Sequence, residues 1–229
     1  YNTATGYNSL AANTTGCMNT AVGRTALTSN TTASANTALG FQSLQANTTG
    51  FQNTASGAYS LYSTTTGCYN TGFGYSAGLN ITTGLSNVAV GRTALYSNTT
   101  GSPNTAVGRS ALYYNTTGYA NTAMGEQALR DCTTGYRNTG FGYYAGQKIT
   151  SGANNTAIGD LSLRLCTTGT VNDGLGTWSM HTITTGANNV GLGQSSTATS
   201  ATVSNEVTLG NSGTNNLRCA DTTISALSD

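Results

Sequence analysis

Asn104-Thr105-Ala106-Val107-Gly108 decides how this chain is read, because the same pentad returns, with small variations, every 17 residues. Its Asn recurs from Asn2 and Asn19 through to Asn189, and its closing Gly recurs from Gly6 and Gly23 through to Gly210. These are thirteen glycines in one register with no insertion or deletion between them. A short fixed period is the signature of a repeat architecture, in which coils rather than domains are the unit to count.

One representative coil runs from Asn104 to Ala120, NTAVGRSALYYNTTGYA. Asn-Thr-Ala-Val is a short strand-like run stopped by a glycine. Arg-Ser-Ala-Leu-Tyr-Tyr is read as a second short extended run. Asn-Thr-Thr-Gly is a turn, in which Gly118 tolerates positive φ and Asn115 bonds local backbone. Asn, Thr and Gly dominate and no 3.6-residue periodicity is sustained, which rules against a helix in each repeat. The expected fold is all-β: a parallel β-solenoid, or β-roll, with 17-residue coils. Residues 1–193 form the repeating body. Residues 194–229, where the turn glycine is replaced by Val203 and the register returns once at Asn205–Gly210, are read as end cap and exit segment.

Each column has a physical role. Stacked Asn amides at the pentad's first position would donate to carbonyls of the next coil, as amide ladders do in cross-β stacks. The second and fourth positions, Thr and a large apolar residue such as Val107, Met124 or Phe141, lie on one strand face; the third, almost always Ala or Gly, lies on the other. The large residues are taken as the coil interior. The small column, Ala21, Ala38, Ala89, Ala106, Ala123 and Ala157 among its members, is then expected to pack against a neighbouring chain in a homo-oligomer. Two near-copies, Asn70–Gly84 and Asn138–Gly152, exchange Leu for Gly78 and Gly146 and the turn Asn for Ile81 and Ile149, swaps that conserve volume.

Composition excludes several functions. Lys and Arg number 8 and Asp and Glu 7, for a net charge of +1, far from the concentrated basic surface that nucleic acid requires. No apolar run approaches the roughly 20 residues of a membrane span, so no membrane insertion is expected. Cys17 and Cys68 share a column three coils apart, and Cys132 and Cys166 share one two coils apart. At about 4.8 Å per coil neither pair reaches disulfide distance, and Cys219 lies beyond the repeats.

No constellation for catalysis, metal or cofactor emerges. The glycines around Phe73 and Phe141 resemble a dinucleotide loop only superficially, and each is explained by its column. His181 is the only histidine and falls in a surface column. Glu126 and Asp160 share a column two coils apart, roughly 10 Å, too far to act as a pair. Arg109 and Glu126, and likewise Asp131 and Lys148, fall one coil apart in shared columns and should form ion pairs if the 17-residue coil is right. Thirteen Tyr raise the prospect of a surface that stacks on glycan, for which Tyr62, Tyr96, Tyr113 and Tyr114 are the candidates, against the simpler reading of an aromatic ladder. The Asn-Thr-Thr sequons at Asn13, Asn30, Asn47, Asn98 and Asn115 are explained by their turns. Adjacent Thr-Thr points to opposite faces, which counts against an ice-binding array.

The run N-T-A-V-G followed three residues later by A-L, from Asn104 to Leu112, resembles coils in the heads of trimeric autotransporter adhesins. It resembles more closely bacteriophage tail-fibre shafts built of N-T-A-x-G-x-x-A-L-x-x-N-T-T-G repeats. There the segment like Val207–Ser212 and Leu217–Asp229 precedes an endosialidase-type intramolecular chaperone, and Leu227-Ser228-Asp229 matches the junction at which that chaperone is released. The resemblance implies a homotrimer around a common axis, a structural and adhesive role in host attachment, host surface glycan as a partner, and location in the virion or, for the adhesin reading, at a cell surface. It carries no enzymatic residues onto this chain.

Overall fold

The structure, a computed structural model, describes residues 1–214. It is a parallel β-solenoid with one strand per coil. The first strands are β1 (Thr3–Thr5), β2 (Thr20–Val22), β3 (Thr37–Leu39), β4 (Thr54–Ser56), β5 (Thr71–Phe73) and β6 (Val88–Val90). They are followed by β7 (Asn104–Val107), β8 (Asn121–Met124), β9 (Thr139–Phe141), β10 (Thr156–Ile158), β11 (Asp173–Leu175), β12 (Val190–Leu192) and β13 (Val207–Leu209). All thirteen lie in one sheet in chain order. Each residue pairs with the one 17 positions on, as Ala106 does with Ala123 and Val107 with Met124. At about 4.8 Å between strands the sheet runs roughly 58 Å. The ladder continues through β13, one coil past the boundary expected at residue 193. Cys219 and the Leu227–Asp229 junction lie outside the described residues.

The second run of each coil is not a strand. Ala111 N–H donates to Gly108 O at 3.3 Å and Asn115 N–H to Leu112 O at 3.2 Å, closing two successive turns. Ser110 and Leu112 within them hold φ of 56° and 49°. This wall is nonetheless tied to its neighbours, with Leu112 N–H donating to Ala128 O at 3.0 Å and Tyr114 N–H to Arg130 O at 3.0 Å. The left-handed residues buckle the chain while keeping its polar backbone paired, which a flat strand of six residues could not do within so short a coil.

The two faces of the strand are the reverse of the sequence expectation. Ala21, Ala38, Ala89, Ala106, Ala123 and Ala157 are all 0 % exposed within a single chain. They face the coil interior, against the buried leucines of the turn wall, among them Leu95, Leu112 and Leu129. They are small because the coil is narrow: a Cβ added at Gly140 would stand 2.9 Å from Leu129 Cγ. They therefore touch no neighbouring chain. Thr and the large apolar residues of the same strands point out, with Phe73 58 % and Phe141 50 % exposed. Phe73 and Phe141 therefore take no part in the packing of the interior. The Gly78–Ile81 and Gly146–Ile149 exchanges do operate in the interior, since a Cβ at either glycine would lie 3.0 Å from the isoleucine Cδ1.

Two columns of buried amides run through the interior. In the first, the Asn121 N–H donates to Asn104 Oδ1 at 3.1 Å, and Asn121 Nδ2 donates to Gly135 O at 2.8 Å and to Asn104 Oδ1 at 3.2 Å. In the second, Asn115 Nδ2 donates to Asn98 Oδ1 at 2.6 Å and to Gly118 O at 3.1 Å. The corner glycines are demanded by the stacking itself. Gly108 has φ of 133°, and a Cβ there would lie 2.6 Å from the Gly125 carbonyl carbon.

Asn121→Ala leaves the Gly135 carbonyl and the Asn138 N–H without their partners. It should lower unfolding free energy by about 2–6 kcal/mol, at roughly 1–3 kcal/mol per orphaned buried group, as read by urea denaturation. Ala106→Leu should also destabilise, by about 1–3 kcal/mol of overpacking.

Candidate functional site

With the interior closed by small residues, Leu and Asn, the chemistry available to partners lies in the outward columns. The most continuous is the apolar column of the sheet. Val22, Val90 and Val107 are half-buried, and Leu39, Phe73, Met124, Phe141, Ile158, Leu175, Leu192 and Leu209 are exposed. Ser56 is the one polar residue in it after Thr5. With full side chains of about 150–200 Å², this column presents on the order of 700 Å² of apolar surface. The largest patch on a typical monomer is roughly 300–600 Å², and one partner of a standard interface contributes about 800 Å².

Threonine forms three further columns. That of Thr14, Thr31 and Thr116 is held against the coil, each hydroxyl donating to the carbonyl of the Thr one coil on, as Thr116 Oγ1 does to Thr133 O at 3.0 Å. That of Thr15, Thr32 and Thr117 is exposed. The strand Thr column lies beside the apolar column, exposed at Thr20, Thr37 and Thr54 and half-buried at Thr71, Thr105, Thr122, Thr139 and Thr156. Phe73, Met124 and Phe141 project from that same face and break any flat threonine array.

The tyrosines named from the sequence do not form one platform. Tyr96 and Tyr113 stack at 4.9 Å with rings 2° from parallel, so each covers one face of the other. Tyr114 meets Tyr113 edge-on at 4.7 Å. Tyr62 stands apart, 6.0 Å from Tyr59, with Leu79 in the coil between it and Tyr96. Tyr113 and Tyr114 line a notch of about 180 Å³ with Ser110, Gln127 and Arg130. Arg130 is already engaged, its Nε donating to Asp131 Oδ1 at 2.6 Å and its Nη1 to Gln127 Oε1 at 2.9 Å. Burial, with smaller effects from Tyr96 and Tyr114, pushes the Tyr113 phenol up from its ordinary range.

Both column-matched ion pairs are present. Arg109 Nη2 meets Glu126 Oε1, and Lys148 Nζ lies 3.1 Å from Asp131 Oδ2. His181 is half-buried, its Nδ1 2.9 Å from Trp178 O. Cys17, Cys68, Cys132 and Cys166 are free thiols. Burial pushes Cys132 and Cys166 up to about 12, which keeps them in the unreactive thiol form. Asn30, Asn47, Asn98 and Asn115 are fully buried, so their sequons are inaccessible in the folded chain. Among the described residues no group of three or more His, Cys, Asp or Glu is placed to hold a metal ion.

One charged group was missed by the sequence reading: Glu206, which occupies the last position of the first Asn column. Its backbone N–H donates to Asn189 Oδ1 at 3.0 Å, continuing the ladder. Its carboxylate accepts from Thr199 N–H at 3.0 Å, Thr199 Oγ1 at 2.6 Å and Thr208 Oγ1 at 2.9 Å. The replacement of Asn by Glu at the end of an otherwise uniform column was the available signal. Comparison with protein-family models, curated proteins and solved structures finds no match to this chain.

The Thr199 hydrogen bond, helped by Thr208, holds the Glu206 carboxyl below its ordinary value. A carboxyl with a folded pKa lower than its unfolded one stabilises fully above the unfolded value, about 4.3, and loses that contribution as pH falls through the folded value. Exchange of the Val190 amide, which donates to Glu206 O, should therefore accelerate below about pH 4 relative to amides in β7. Glu206→Gln should flatten that difference, measured by native-state hydrogen exchange against pH.

Proposed function

We propose that this chain is the shaft of a trimeric bacteriophage tail fibre, with a structural and adhesive role: it extends, or itself presents, a surface for attachment to a host. The observation that carries the proposal is the outward apolar column from Val22 to Leu209, with its exposed members Leu39, Phe73, Phe141 and Leu192. A coil that completes its own core inside one chain has no folding reason to expose such a stripe along its length. A second copy of the same chain has the same coil spacing and can match the stripe over its whole length, whereas a partner of another period would fall out of step. Association in this reading is through Val107 and its column, in place of Ala106 and its own.

The role is mechanical. Coil-to-coil ladders make each chain a stiff rod, and several rods joined along their length resist bending and give multivalent attachment. The N-T-A-x-G pattern supports placement in a virion. A trimeric adhesin or self-assembling filament at a cell surface would use the same lateral face. The full-length sequence separates these readings: an assembly chaperone following the shaft fits the fibre, and a membrane-anchoring barrel fits the adhesin.

The native mass of the full chain should be three times 23.2 kDa. Phe141→Lys combined with Leu175→Lys should reduce it to a single chain while the far-UV circular dichroism spectrum is retained. A wild-type monomer would overturn the proposal.

A further inference from the structure

A second notch lies further along the turn wall, about 280 Å³ in volume and lined by Tyr143, Tyr144, Leu161, Arg164 and Trp178. It differs from the Tyr113 notch in having free groups. Tyr143 and Trp178 are 48 % and 38 % exposed, and no other aromatic ring stacks parallel on either. Tyr144 meets Tyr143 edge-on at 4.1 Å and has the Arg164 guanidinium 6.0 Å from its ring centre. Arg164 forms no ion pair among the described residues; its Nε lies 3.4 Å from Gln147 Oε1. Asp160, one coil beyond Tyr143 in the same column, is likewise outside the ion pairs found among the described residues.

The make-up of the column beneath the notch is an independent observation. Tyr144, Leu161 and Trp178 occupy one column in three successive coils with φ of 56°, 58° and 60°. In most other coils this left-handed position holds Asn8, Thr25, Gln42, Ser76, Thr93, Ser110 or Gln127. Bulky residues hold left-handed φ throughout this fold, as Leu95, Leu112 and Leu129 do in the buried wall, so the departure here is one of composition: three successive coils place large, largely apolar side chains where most coils place polar ones. Tyr59 is the other bulky residue of the column, and it packs into an aromatic cluster with Phe41, Tyr62 and Tyr75. The rings and leucine around this notch instead border open space.

We infer that this notch is a binding subsite for a neutral saccharide of one or two rings. Tyr143 and Trp178 offer flat apolar faces to the C–H face of a pyranose, Arg164 in the lining supplies a donor for its hydroxyls, and Asp160, outside the lining but one coil beyond Tyr143 in its column, stands at the rim as an acceptor. The Asp160 carboxylate at the rim offsets the Arg164 charge, which favours a neutral sugar over an acidic one. The volume lies just below the roughly 300–1,000 Å³ of small-molecule sites, which limits the number of rings held. The assignment does not depend on lateral association, because none of these residues belongs to the outward apolar column of the sheet.

Trp178 is the only tryptophan, so its emission reports this site alone. The full chain is titrated with cellotriose, chitotriose and maltotriose, and separately with sialyllactose as the acidic probe. A saturable emission change with at least one neutral trisaccharide, weakened tenfold or more by both Tyr143→Ala and Arg164→Ala at unchanged native mass, supports the inference. Absence of saturation with every neutral probe, saturation with sialyllactose alone, or binding unaffected by the two substitutions overturns it. A change of native mass in either variant would assign the notch to an interface between copies and would also overturn it. Native mass alone tests the lateral association, so the two readings fail separately.

Discussion

The buried asparagine amide at the entry to each strand is the constraint on which the other features of the coil depend. At this corner the chain leaves the turn wall and joins the sheet: the Asn carbonyl takes a ladder bond, as Asn138 O does from Thr122 N–H, but the Asn N–H and the turn carbonyl before it need another partner. Asn104 meets both needs with one side chain. Its Oδ1 accepts the N–H of Asn121, and its Nδ2 donates to Gly118 O. Each amide thus holds a specific backbone group of the following coil, and an insertion or deletion anywhere in a coil would move that group out of reach. The absence of any such change from Asn2 to Gly210 follows from this.

The second amide column shows what a less demanding role permits. Asn115 closes its own turn through Gly118 O and receives nothing from the backbone of the next coil. That column accordingly admits Thr64, Ile81, Cys132, Ile149, Cys166 and Ile183, all buried. Where an asparagine run stops, the last oxygen is left without a partner, as at Asn47 and Asn115. The first column admits a different residue only at Glu206. There the N–H still meets Asn189, and the carboxylate turns to Thr199 and Thr208 instead of serving a further strand among the described residues.

The period, the parallel register and the ion pairs were legible in the sequence because each follows from column identity alone. Which strand face is inside was not. Alternation along Thr105-Ala106-Val107 fixes that Ala106 opposes its neighbours, but it does not fix which side holds the facing wall. Large apolar residues normally mark the interior, and here the opposite wall supplies the bulk through Leu95, Leu112 and Leu129, so only Ala or Gly fits across from them. The turn wall was misread as a strand for a related reason. Its small–large pattern imitates alternation, and a left-handed Leu such as Leu112 has no composition that announces it. The Tyr143–Trp178 notch was hidden because its members come from three coils and share no motif.

Ala106 and Val107 are neighbours with separable duties. Ala106 completes an interior that one chain closes unaided, while Val107 and its column contribute almost nothing to that closure. Facing water alone, this column would have no reason to differ from the exposed threonines at Thr15, Thr32 and Thr117. Its apolar members vary from Val to Phe, as expected where no rigid opposite wall lies within the same coil. A slip of one residue in strand register would bury Val107 and expose Ala106, exchanging the two faces. The bond from the Asn121 N–H to Asn104 Oδ1, repeated at each strand entry, opposes that slip. The amide ladder therefore does more than join the coils: by fixing the register it also determines which side chains the rod presents to its surroundings.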